Sequence, residues 1–104
     1  MRTKHLMDLQ PKFTNGVGGR VGVGIWFDCP CGQHDAEDMT RRVYVDFANP
    51  LDGGTPMREN AGWQRTGETF ATLTLRPSIL RLKSPGGNTC GWHGFITAGE
   101  VETV

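Results

Sequence analysis

Cys29-Pro-Cys31-Gly near the start and Cys90-Gly-Trp-His93-Gly near the end hold the residue types with the most specific chemistry in this chain. Two short pairs of soft ligands, far apart in sequence, match the one-dimensional pattern of a tetrahedral zinc held by three thiolates and one imidazole. Pro30 and Gly32, and the glycines on either side of His93, supply turns tight enough to aim both members of each pair at one ion. The expected ligands are therefore Cys29, Cys31, Cys90 and His93, and the expected cofactor is a structural zinc. Iron–sulfur chemistry fits less well, because a fourth cysteine is missing. His34, three residues after Cys31, is a fifth candidate for four places, either as a ligand or as a group standing beside the metal. The competing reading of the cysteines is as small buried core residues.

Other reactive patterns are absent. The chain has no H-E-x-x-H, no P-loop and no G-x-S-x-G. Gly16-Val-Gly-Gly19 does not complete a dinucleotide-binding fingerprint. No Ser–His–Asp arrangement can be picked from the order of residues. Trp63 and Arg65, in Gly62-Trp63-Gln64-Arg65, are candidate binding residues, since Trp and Arg anchor many interfaces; packing into the core is the plainer role for Trp63. Trp92, between two expected ligands, reads as a shield for the metal.

These residues need a scaffold, and composition limits what it can be. At 104 residues the chain predicts one domain, 1–104, with a core small enough that a metal staple is a useful supplement. Gly at 15 and Pro at 6, with no long helical periodicity, suit short strands joined by tight turns. The fold class predicted is a mostly β, zinc-stabilised domain with little helix. A helical turn is expected around Leu6 and Leu9, ended by Pro11. Strands are expected over 21–27, with Val21, Val23, Ile25 and Phe27 on one face; around Val43, Val45 and Phe47; over 70–75, ended by Pro77; and over 79–83. Residues 95–97 and 101–103 suggest a closing hairpin around Ala98-Gly99, and 49–60 an exposed loop.

Lys plus Arg is 11 and Asp plus Glu is 11, so the neutral balance argues against a nucleic-acid partner. No run of apolar residues is long enough to span a membrane, and the first residues lead into nothing like a signal peptide. An odd cysteine count in that setting favours reduced thiols and metal over disulfides.

Thr72-Leu-Thr-Leu-Arg-Pro-Ser-Ile79, Cys90-Gly-Trp-His-Gly-Phe-Ile96, Gly99-Glu-Val101 and the leading Phe27-Asp-Cys-Pro-Cys-Gly32 together resemble a family of small phage and prophage proteins commonly labelled ammonia monooxygenase. The resemblance covers most of 6–101. The label itself describes a membrane copper enzyme, and this chain has neither membrane spans nor a copper-type histidine cluster. Family members tend to space the first pair C-P-x-C, against Cys29-Pro-Cys31 here, and to carry a histidine before the second strand, which His34 matches. The resemblance carries no settled activity with it; a phage origin together with the lack of any motif for a nucleophile or general base leads to the expectation of a non-enzymatic phage accessory protein, a virion component or a binder of a host factor, found in host cytoplasm or virion. Its implied partner is a protein, with a homo-oligomer or larger assembly open. The alternative is a zinc-dependent hydrolase using His34 beside the metal, with Asp35 or Asp28.

Overall fold

A computed structural model describes residues 3–31, 37, 41–57, 62–81 and 90–104. The described chain is mostly β, as its composition implies. The strands are β1 (Thr3–His5), β2 (Lys12–Thr14), β3 (Gly24–Asp28), β4 (Arg42–Asp46), β5 (Gln64–Thr66), β6 (Thr74–Leu80), β7 (His93–Thr97) and β8 (Glu100–Thr103). They form two antiparallel sheets, one ordered β1-β8-β7-β6-β5 and the other β2-β3-β4.

Alternation explains how the sheets meet. Ile25, Phe27, Val43 and Val45 of the smaller sheet share one core with Leu75, Ile79, Ile96 and Val101 of the larger. The turn expected at Leu6 and Leu9 is a short 3-10 helix over Leu6–Leu9, and both leucines are buried in that core. Phe13 stacks on Phe70 with ring centroids 4.5 Å apart and closes one end.

The strand expected over 21–27 begins later. Gly22 has φ +65°, which breaks the extended run, so Val21 is exposed while Val23, Ile25 and Phe27 are buried. The strand expected over 70–75 begins only at Thr74. The stop expected at Pro77 does not occur: β6 runs through it to Leu80. Proline is tolerated there because the β6–β7 ladder is interrupted by a bulge between Leu75 and Ile79. The closing hairpin is present as β7 and β8 around Ala98 and Gly99.

The two sheets are also tied through the backbone. Trp63 N donates to Asp46 O at 2.8 Å and Ala48 N donates to Trp63 O at 2.8 Å, forming a parallel bridge between Phe47 and Trp63. Gly62, with φ +119°, lies so close to this crossing that an added Cβ would meet Ala48 N at 2.7 Å. Phe47 at this junction is fully buried. Phe47→Ala should therefore cost about 3–5 kcal/mol of unfolding free energy. Tyr44→Ala, at the exposed neighbour on β4, should stay within about 0.5 kcal/mol of the parent. Urea titration of both variants checks the contrast.

Candidate active site and metal centre

Three of the four expected ligands come together. Cys29 follows β3, its N–H held by Arg41 O at 2.6 Å. Cys31 lies in the next turn, and Cys90 just precedes β7. The sulfurs of Cys29, Cys31 and Cys90 all lie within 4.8 Å of one another, so the trio could hold a metal ion. Cys29 Sγ and Cys90 Sγ are 3.5 Å apart. That is far beyond a disulfide bond and close to the edge of a tetrahedron with metal–sulfur bonds of about 2.3 Å, which is about 3.8 Å. Cys29 is buried, and burial pushes its thiol up to about 12, against hydrogen bonds from the Cys31 backbone and the Arg81 side chain that pull it down. A thiol held protonated is a weak nucleophile, whereas a divalent cation replaces the proton outright. The geometry of this trio is thus one that could hold a metal ion.

His93 is not with the cysteines. It is the first residue of β7 and sits opposite Leu80 of β6. Its Nε2 lies 2.9 Å from Ser78 Oγ. Both residues are half-buried. With Nε2 unprotonated, the Ser78 hydroxyl donates to it, which is the contact a general base makes with a serine nucleophile. Two features of the sheet bring them together. Alternation sends Ile79 into the core and leaves Ser78 and Leu80 on the opposite face, where His93 also stands. Cross-strand pairing does the rest: with Leu80 opposite His93, Ser78 is the diagonal neighbour of His93, and the bulge, four steps along β6 from Leu75 to Ile79 facing two along β7 from Ile96 to Gly94, keeps both on that face. Trp63 Nε1 donates to Ser78 O at 3.2 Å and holds the backbone of Ser78.

The remaining expectations divide. His34 and Asp35 lie outside the described residues. Asp28 forms an ion pair with Arg41, Oδ1 to Nε at 3.7 Å. Arg65 is turned inward: Nε donates to Asn49 O at 3.1 Å and Nη1 to Gly67 O at 2.6 Å. Trp92 is buried edge-on to Phe27, with its Nε1 donating to Thr103 Oγ1 at 2.9 Å. Ser78 had escaped notice in the sequence. The only hint was scarcity, since Ser78 and Ser84 are the chain's two serines.

A serine hydroxyl paired with an imidazole on a sheet surface is an arrangement of hydrolases that work by nucleophilic attack. Residues 4–104 match the family described as bacterial ubiquitination-like system serine protease (BubE), and the chain belongs to that family. Nothing among curated proteins or solved structures matches it. The family assignment corrects three expectations. The resemblance to phage proteins labelled ammonia monooxygenase does not identify the chain. The reading as a non-enzymatic phage accessory protein gives way to that of an enzyme, and the viral attribution falls with it. Among the described residues no helix is long and apolar enough to cross a membrane.

The separation of trio and pair has a direct consequence. Cys90→Ser should strip most of the bound metal and lower the melting temperature, while His93→Ala should keep the metal. Elemental analysis of both purified variants, beside thermal melts with and without chelator, reads the difference.

Proposed function

We infer that this chain is a serine protease in which Ser78 is the nucleophile and His93 the general base. The observation that carries the reading is the 2.9 Å contact between Ser78 Oγ and His93 Nε2, supported by membership of a serine protease family. In the acylation step Ser78 Oγ bonds to the substrate carbonyl carbon as His93 Nε2 takes the hydroxyl proton. The C–N bond breaks, and His93 returns that proton to the leaving amine. The ester left on Ser78 is then attacked by water, whose proton passes to His93 Nε2 and back to Ser78 Oγ as the acid departs.

Zinc is the metal best suited to the cysteine trio, because thiolates at this spacing favour a soft tetrahedral ion. Cys29, Cys31 and Cys90 would hold it, and it would supply structural cross-linking rather than Lewis acidity. Three thiolates already place heavy negative charge on the ion, and Ser78 and His93 belong to a separate set. The trio joins the end of β3 to the chain entering β7, so the metal braces the strand on which His93 stands.

Ser78→Ala should reduce peptide hydrolysis by about 10³-fold or more, and His93→Ala by a similar factor, with the double variant no worse than either single one, as expected of groups that act as a unit. Labelling by an alkyl fluorophosphonate, located by mass spectrometry, should fall on Ser78 and disappear in Ser78→Ala. Hydrolysis that survives in Ser78→Ala, or label found on another residue, would overturn the reading.

A further inference from the structure

Among the described residues, the flank of β6 beside Ser78 carries no strand. β5 pairs with β6 only as far as Gln64 opposite Arg76. One residue before Gln64 the chain has already left, because the backbone of Trp63 is bound to Asp46 and Ala48 of the other sheet. Beyond Arg76, no strand among the described residues covers that side of β6. What does reach across is the Trp63 indole, whose Nε1 occupies Ser78 O.

The direction of the backbone groups follows from the ladder on the other side. Arg81 N donates to Trp92 O at 2.8 Å. In an antiparallel pair, hydrogen-bonded and non-hydrogen-bonded positions alternate. Arg81 with Trp92 and Ile79 with Gly94 are thus the bonded positions, and Leu80 opposite His93 is not. The N–H and C=O of Leu80 therefore point away from β7, into the flank that β5 has vacated. The Leu80 side chain, 55% exposed, stands on the same face as Ser78 and His93.

We propose that the open flank of β6 at Leu80 is the substrate-binding edge: an extended, unstructured polypeptide segment adds there as a further strand and carries its scissile carbonyl to Ser78. This rests on the Ser78–His93 reading above. Backbone pairing at Leu80 supplies register, the exposed Leu80 side chain supplies an apolar contact, and Trp63 closes the bottom of the edge. Such an edge accepts a segment whose own amides are free, so a flexible tail or linker enters while helices and closed turns do not. The length and direction of chain that can engage are limited by Trp63, which already holds the next carbonyl, that of Ser78.

Two probes of Ser78 separate the proposal from the reading beneath it. An alkyl fluorophosphonate tests the nucleophile alone. Acetyl-tetra-alanyl diphenyl phosphonate tests the nucleophile with a backbone that can pair. The ratio of their labelling rates cancels any general change in Ser78 reactivity. N-methylation of the peptidyl probe, one amide at a time, should cut this ratio about tenfold at alternate amides and by less than about twofold at those between, since a lost hydrogen bond of about 1.4 kcal/mol is a tenfold change. Leu80→Pro removes the donor on the open flank while leaving the β6–β7 ladder its bonds, and should lower the ratio about tenfold in protein whose melt remains cooperative. A flat N-methyl scan, or labelling by the alkyl probe with none by the peptidyl probe, would overturn the edge and leave the Ser78–His93 pair standing. Peptidyl labelling that falls as protein concentration rises would assign the edge to a second copy of the chain, and would overturn the proposal too. Failure of both probes at Ser78 would instead remove the protease reading itself.

Discussion

The register of β6 against β7 is the constraint on which the candidate active site depends. Leu75 faces Ile96 and Ile79 faces Gly94, so β6 carries two more residues than β7 between those pairs. The surplus is spent at Arg76, Pro77 and Ser78. Continued regularly from Leu75 and Ile96, the ladder would set Ser78 directly opposite His93; the two extra residues of β6 put Leu80 there and make Ser78 the diagonal neighbour of His93, still on the same face. The same neighbourhood is held from both sides: Arg76 donates to Ile96 O at 3.0 Å and to Thr97 Oγ1 at 2.8 Å, and Trp63 holds Ser78 O.

The cysteine trio closes the other end of this strand pair. Arg81 and Trp92, the last described pairing of β6 with β7, lie between the Ser78–His93 contact and Cys90. Cys29 brings the end of β3 to the same place. The smaller sheet already meets this strand pair through the shared core, with Phe27 against Trp92, and a metal held by the trio would add a cross-link at the same end. On the proposed reading such a metal would act through stiffness rather than through chemistry. An imidazole must be held within a few tenths of an ångström and a few degrees of its serine to act as a base, and it is the strand beneath it that must not move.

The division of Trp63 between two tasks illustrates how economical the design is. Its backbone joins the two sheets, which forces the chain away from β6 after only three residues of β5. Its indole then reaches back to the β6 backbone at Ser78. The early departure of β5 is what leaves the flank of β6 beside Ser78 without a strand among the described residues, and Gly62, immediately before Trp63, is the residue without a Cβ that the crossing requires.

Much of this fold could be read before any coordinates. Alternation at Val43, Val45 and Phe47, the leucine turn before Pro11 and the Ala98-Gly99 hairpin are local patterns whose physical cause lies within a few residues, and each appears in the structure. The cysteine trio was also legible, because thiols at turn spacing announce their chemistry by type alone. The Ser78–His93 pair was not. A serine is common on any strand, and a histidine three residues after a cysteine looks like a ligand. What makes them a pair is the cross-strand register set by a bulge, a property of two strands together. Sequence therefore determined the local elements just named and where metal chemistry could sit, but not β1, β2 and β5 or the run of β6 through Pro77. Tertiary structure decided which partner His93 takes, because the pairing of β6 with β7 puts Ser78 and His93 on one face as cross-strand neighbours, with hydroxyl and imidazole 2.9 Å apart.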